Sequence, residues 1–172
     1  MQLLSLVIRL IVLCALLWLA VIDVRSRRLP TPVVLAVGAL FFADALVRRI
    51  AIDDVIVHLL LAIGVFLVCA ALFAAKMLGG GDAKLASVIF LWAGLSLSIP
   101  ALTLISVIGT LVSLISLATR SMSPAHRFMP LRALAMFSGA RGVPYGVALA
   151  LGGGAVIVLP ALMPLLPSLA IR

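Results

Sequence analysis

The chain has 172 residues, of which 66% are hydrophobic and only 10% charged. A soluble domain is nearer a quarter charged, so there is no polar surface for a water-soluble globule and lipid must cover the outside. The net charge of +8 does not point to nucleic acid, because the 13 basic residues are scattered between apolar runs and form no stripe that tracks phosphates.

In chain order, six segments are long and apolar enough to cross a bilayer as helices, which takes roughly 20 residues at about 1.5 Å each. The first, about 3–22, contains Arg9, which is expected to snorkel to the near interface. It lacks the charged start and small-residue cleavage site of a signal peptide and reads as a retained span. The second, about 31–47, carries Pro32 in its first turn, where a missing N–H costs little. The third, about 55–75, is uninterrupted. Residues 85–119 hold no charge, and as one helix would run roughly 50 Å. A turn is therefore predicted at Ser98-Ile99-Pro100, giving spans at about 85–99 and 101–119. The sixth, about 143–168, contains Gly152-Gly153-Gly154, Pro160, Pro164 and Pro167, so kinks or fraying are expected toward its end.

The predicted fold class is thus an all-α, polytopic transmembrane bundle, a single membrane-embedded domain over 1–172. One side holds Arg25, Arg27, Arg28, Lys76, Lys84, Arg120, Arg127, Arg132 and Arg141. The other holds Arg48, Arg49 and Arg172, with Arg9 near the start. Nine against four puts the richer side in the cytoplasm and both termini outside. Residues 120–142 are the longest cytoplasmic loop, with a short interfacial segment expected over 130–138. The two halves do not echo each other, which argues against an inverted-repeat transporter. Cys14 and Cys69 lie inside apolar runs without a CxxC pair and read as packing residues, so neither a metal nor a disulfide is expected.

All five acids are Asp. Asp53 and Asp54 sit in a short external loop, where solvation is cheap. Asp44 precedes Arg48 by four residues, the spacing of a helical ion pair. Asp23 closes the first span and Asp82 lies between the third and fourth, after Gly79-Gly80-Gly81. Two crossings separate this pair, so both fall at one membrane face, and carboxylates at that depth are functional candidates. Two carboxylates at one site suit peptide hydrolysis: an ionised one takes a proton from water while a protonated one donates to the scissile carbonyl. A glycine loop lets a substrate backbone approach closely. Each feature has a plainer reading. Asp82 is a favoured helix cap, the glycines are helix terminators, and Asp23 is an ordinary flanking charge. His58 reads as a packed or pore-facing residue, and His126 as a loop residue.

Three stretches together resemble the type IV prepilin peptidases, bacterial members of the GxGD aspartic peptidases. They are Asp23-Val24-Arg25-Ser26-Arg27-Arg28-Leu29-Pro30, Gly79-Gly80-Gly81-Asp82-Ala83-Lys84-Leu85 and Val143-Pro144-Tyr145-Gly146-Val147-Ala148-Leu149-Ala150. The resemblance implies an aspartic endopeptidase with Asp23 and Asp82 as its catalytic pair. Gly79, Gly80, Gly81, Lys84, Pro144 and Tyr145 would shape the site or bind substrate, with no cofactor and no metal. It implies a prepilin or pseudopilin substrate with an apolar helical leader, cut at the cytoplasmic face of the inner membrane. The larger members carry a cysteine-paired cytoplasmic domain that methylates the new N-terminus. That domain is missing here, which makes the chain look like the short peptidases of tight-adherence (Flp) pili. Its partners would be that substrate and the lipid bilayer; no oligomeric state is assigned. Two other classes fit the same residues. A small proton- or cation-coupled transporter would show flux in vesicles, and a non-enzymatic pilus or secretion scaffold would survive replacement of both aspartates by Asn.

Overall fold

The structure, a computed structural model, describes residues 1–118 and 145–163. The described residues are helical and contain no strand. The helices are α1 (Gln2–Ser26), α2 (Thr31–Arg48), α3 (Ile52–Ala74), α4 (Gly80–Ala118) and α5 (Tyr145–Leu162). All five are long and apolar enough to cross a membrane. The loop expected over 120–142 and the residues beyond 163 lie outside the described residues.

Helix α5 forms the centre. Its small residues let neighbours approach closely, the usual basis of packing between helices that share a lipid environment. Gly152 meets Ile105, Gly153 meets Ile89, and Gly154 meets Leu13. α1 and α4 pack on α5, α2 bridges α1 and α4, and α3 packs against α4 from outside. Among the described residues of α3 only Ala62 is fully buried. Its apolar surface all round is what a helix facing lipid needs. Two polar links pin it: Ser87 Oγ donates to the Ala62 carbonyl at 2.8 Å, and His58 Nδ1 lies 2.6 Å from the Leu91 carbonyl oxygen. His58 also stacks on Phe41, with ring centroids 5.2 Å apart, so it is a packed residue.

The predicted turn at Ser98-Ile99-Pro100 is corrected. Helical structure continues through all three, and the break lies at Gly94, with φ 59 and ψ −173. That region is open essentially to glycine alone. Pro100 removes one backbone donor, but its normal acceptor, the Ser96 carbonyl, belongs to an exposed residue, so the helix survives. Unbroken, α4 would run about 58 Å. The break instead makes two arms. Ile89 on the first and Ile105 on the second meet adjacent glycines of α5, so both arms run alongside the central helix. A Cβ at Gly94 would collide with the His58 ring. Gly94→Ala is expected to lower stability by about 1–3 kcal/mol through backbone strain alone. Adding His58→Ala should relieve the collision but not the strain, as thermal unfolding in detergent can measure.

The expectation that Arg9 snorkels outward is also corrected. α1 buries Ser5, Ile8, Arg9, Val12, Leu16, Leu19, Ala20 and Asp23, one stripe at helical spacing. Arg9 therefore faces the bundle. Its Nη2 donates to Asp44 Oδ2 at 2.9 Å and its Nη1 to the Ile157 carbonyl at 2.8 Å, while the Ser5 hydroxyl donates to Asp44. The expected Asp44–Arg48 pair is present, but longer, at 3.9 Å.

Candidate active site

At the other end of the α1 stripe, Asp23 lies in the last helical turn, buried. α1 stops three residues later because Arg27 turns left-handed, with φ 55 and ψ 30, and its N–H closes back on the Asp23 carbonyl at 2.9 Å. Pro30 and Pro32 then start α2 at once. The link is short, so the basic run Arg25, Arg27 and Arg28 is kept against the end of the helix.

Asp82, expected between the third and fourth spans, lies in the first turn of α4. It is the third residue of that helix, and the backbone N–H of Gly79 lies against its carboxylate. That is the reach-back half of a capping box, with an acid at the third helical position satisfying the donor that precedes the helix. The plain capping role foreseen for Asp82 is therefore real. It fixes the direction of the side chain without using up both oxygens.

The two aspartates border one cavity. Asp23, Arg27, Arg28 and Leu29 form one wall of a cavity of about 370 Å³, and Gly79, Gly80, Gly81 and Asp82 form the other. The carboxylates are close enough to act on each other electrostatically. A larger cavity of about 1170 Å³ opens at the Arg9 end, but it presents a single carboxylate, Asp54, and so no pair to divide acid and base work.

The other candidate residues are placed unequally. Lys84 is exposed, and its Nζ donates to Thr31 Oγ1 at 3.1 Å rather than lining the cavity. Tyr145 turns its hydroxyl toward Gly109 on the second arm of α4. Pro144 lies outside the described residues. The neighbour of Tyr145, Gly146, has the more direct role: its N–H donates to Asp23 Oδ2 at 3.0 Å, in a buried setting. A Cβ there would stand 2.8 Å from the same oxygen. Only glycine lets the start of α5 come this close. Sequence reading missed it because a backbone donor carries no residue signature, although Gly146 sits inside the Pro-Tyr-Gly segment already singled out. Gly146→Ala is expected to push Asp23 out of register and lower turnover by about 10²-fold, the usual cost of a displacement of about 1 Å at a reacting group. Initial rates on purified enzyme would measure this, with a circular dichroism melt as the control for folding.

The arrangement offers two carboxylates from different helices, a glycine-lined wall and one buried cation around a small space. It suits activation of a water molecule beside an extended peptide. Searches of the curated proteins and of the solved structures returned no significant match. The sequence model of the type IV leader peptidase family matches residues 10–114, which contain both aspartates and the glycine loop. That match covers well over half of the chain, which therefore belongs to the type IV leader peptidase family.

Proposed function

We propose that this membrane-embedded peptidase removes the leader from Flp-type prepilins or pseudopilins at the cytoplasmic face of the inner membrane, with Asp23 and Asp82 as the catalytic pair. The observation that carries the reading is that both aspartates line one small cavity. One carboxylate, ionised, takes a proton from a water whose oxygen attacks the scissile carbonyl carbon. The other, protonated, donates to the carbonyl oxygen. Collapse of the tetrahedral intermediate then returns a hydroxyl proton to the second carboxylate and breaks the C–N bond, and the amine leaves with the proton that the first took from water.

The glycine wall supports this reading because substrate must lie against it in an extended form. A leader that enters as an apolar helix must be unwound at the bond to be cut, and backbone contacts along side-chain-free residues can hold it so. The cytoplasmic assignment is supported by charge. Arg25, Arg27 and Arg28 at the end of α1, Lys76 after α3 and Lys84 in the first turn of α4 gather at the aspartate end. The short-type assignment is supported by the tight link between α1 and α2 and by the positions of Cys14 in α1 and Cys69 in α3. Neither cysteine is placed for a paired cytoplasmic domain.

The test is co-expression with a Flp-type prepilin, read as a gel shift and by N-terminal sequencing of the product. A prepilin that stays full-length beside correctly inserted enzyme removes this substrate class.

A further inference from the structure

Two carboxylates crowded into one small cavity face a physical problem that the proposed chemistry does not by itself solve. Like charges repel, and the backbone N–H that each carboxylate accepts, from Gly146 at Asp23 and from Gly79 at Asp82, fixes a direction without supplying a countercharge. A cation beside both would keep them toward a common point. Three arginines follow Asp23 in the sequence, and the usual bias of short cytoplasmic loops makes all three topology signals. The structure separates them. Arg25 is exposed, and Arg28, though it borders the cavity, is exposed as well. Arg27 has all three guanidinium nitrogens buried, shares the cavity with Asp23 and Asp82, and acts electrostatically on both. Its backbone is left-handed, with φ 55. Arg49 and Lys76 close their helices with the same turn, so the burial of the guanidinium beside the pair, and not the turn, sets Arg27 apart.

We propose that Arg27 is a positioning residue for the aspartate pair, its guanidinium set inside the cavity so that both carboxylates stay aimed at one water. The proposal rests on the reading of Asp23 and Asp82 as the catalytic pair. A guanidinium suits the task because it stays charged at any working pH and offers a planar fork of donors to more than one oxygen. A lysine would supply the charge without the fork.

The decisive variant is Arg27→Gly. Glycine adopts the left-handed turn without strain, so the chain should fold with an unchanged or raised melting temperature while the guanidinium is lost. Purified Arg27→Gly is expected to lose about a hundredfold in kcat, with KM on a prepilin substrate moving less than about threefold. Arg27→Lys should recover part of the loss. Arg25→Gln, which removes a neighbouring charge outside the cavity, should cleave like the parent. The proposal is overturned by any of three results: Arg27→Gly with parental kcat, a defect confined to KM, or an equal loss in Arg25→Gln, which would reduce Arg27 to a topology signal. Asp23→Asn and Asp82→Asn in the same assay separate the two layers. If both are inactive while Arg27→Gly is active, only the role of Arg27 fails; if they cleave, the catalytic pair fails with it.

Discussion

Asp23→Asn and Asp82→Asn are each expected to abolish leader cleavage, with a loss of at least about 10³-fold, and the double variant to be no worse than either single one. The size follows from the division of labour. General acid or base assistance contributes about 10²–10⁴-fold on its own, and neither half of a pair that shares one water works without the other. Residues acting as a unit are grossly non-additive for that reason. Asn is the informative replacement because it keeps the shape and one acceptor oxygen. At position 82 it can still receive the Gly79 N–H that starts α4, and at position 23 it can still receive the Gly146 N–H at 3.0 Å. The variants should therefore insert and melt like the parent, so that loss of cleavage reports chemistry rather than folding. The measurement is processing of a co-expressed prepilin, quantified against membrane-inserted enzyme. Losses that multiply in the double variant would mean two separate sites and not one pair.

The residues that meet in the small cavity were legible because the sequence holds so few acids. With five in all, and two crossings between Asp23 and Asp82, counting spans was enough to put both at one face. The glycines before Asp82 added a backbone surface beside it. The contact between Gly146 and Asp23 was not legible. It joins residues 123 apart in the chain through a donor that every residue except proline carries. The break in α4 was misplaced for a different reason. Proline is the louder signal of a helix end, but a proline can be absorbed where the carbonyl it frees is exposed, while a buried glycine at φ 59 reverses the chain. Arg9 was misread although the pattern was present. Ser5, Arg9, Val12, Leu16, Leu19 and Asp23 fall on one helical stripe, and a stripe that ends in a buried carboxylate faces the bundle along its whole length.

That buried arginine leads to an asymmetric stability prediction. The side chains of Arg9 and Asp44 are 10% and 2% exposed, Arg9 also lies 5.8 Å from the Trp92 ring centre, and Ser5 and Ile157 complete the cluster. It ties α1, α2, α4 and α5 together at the end opposite the aspartate pair. Breaking a buried pair by removing one partner costs about 3–5 kcal/mol, because the other is left as an uncompensated charge. The two partners differ in how they can escape that fate. A carboxylate can take up a proton, and Asp44 retains Ser5 and, at 3.9 Å, Arg48. A guanidinium cannot lose its proton. Asp44→Leu is therefore expected to be the more damaging single change, toward the upper end of that range, and Arg9→Leu the milder. Removing both charges leaves no orphan, so Arg9→Leu with Asp44→Leu should be more stable than Asp44→Leu alone, a coupling that unfolding in mixed micelles reads directly. Fourteen residues of helix, about 21 Å, separate Arg9 from Asp23, so the double variant should still cleave prepilin once folded. A strictly additive cycle would mean that lipid or water, and not Asp44, compensates the Arg9 charge.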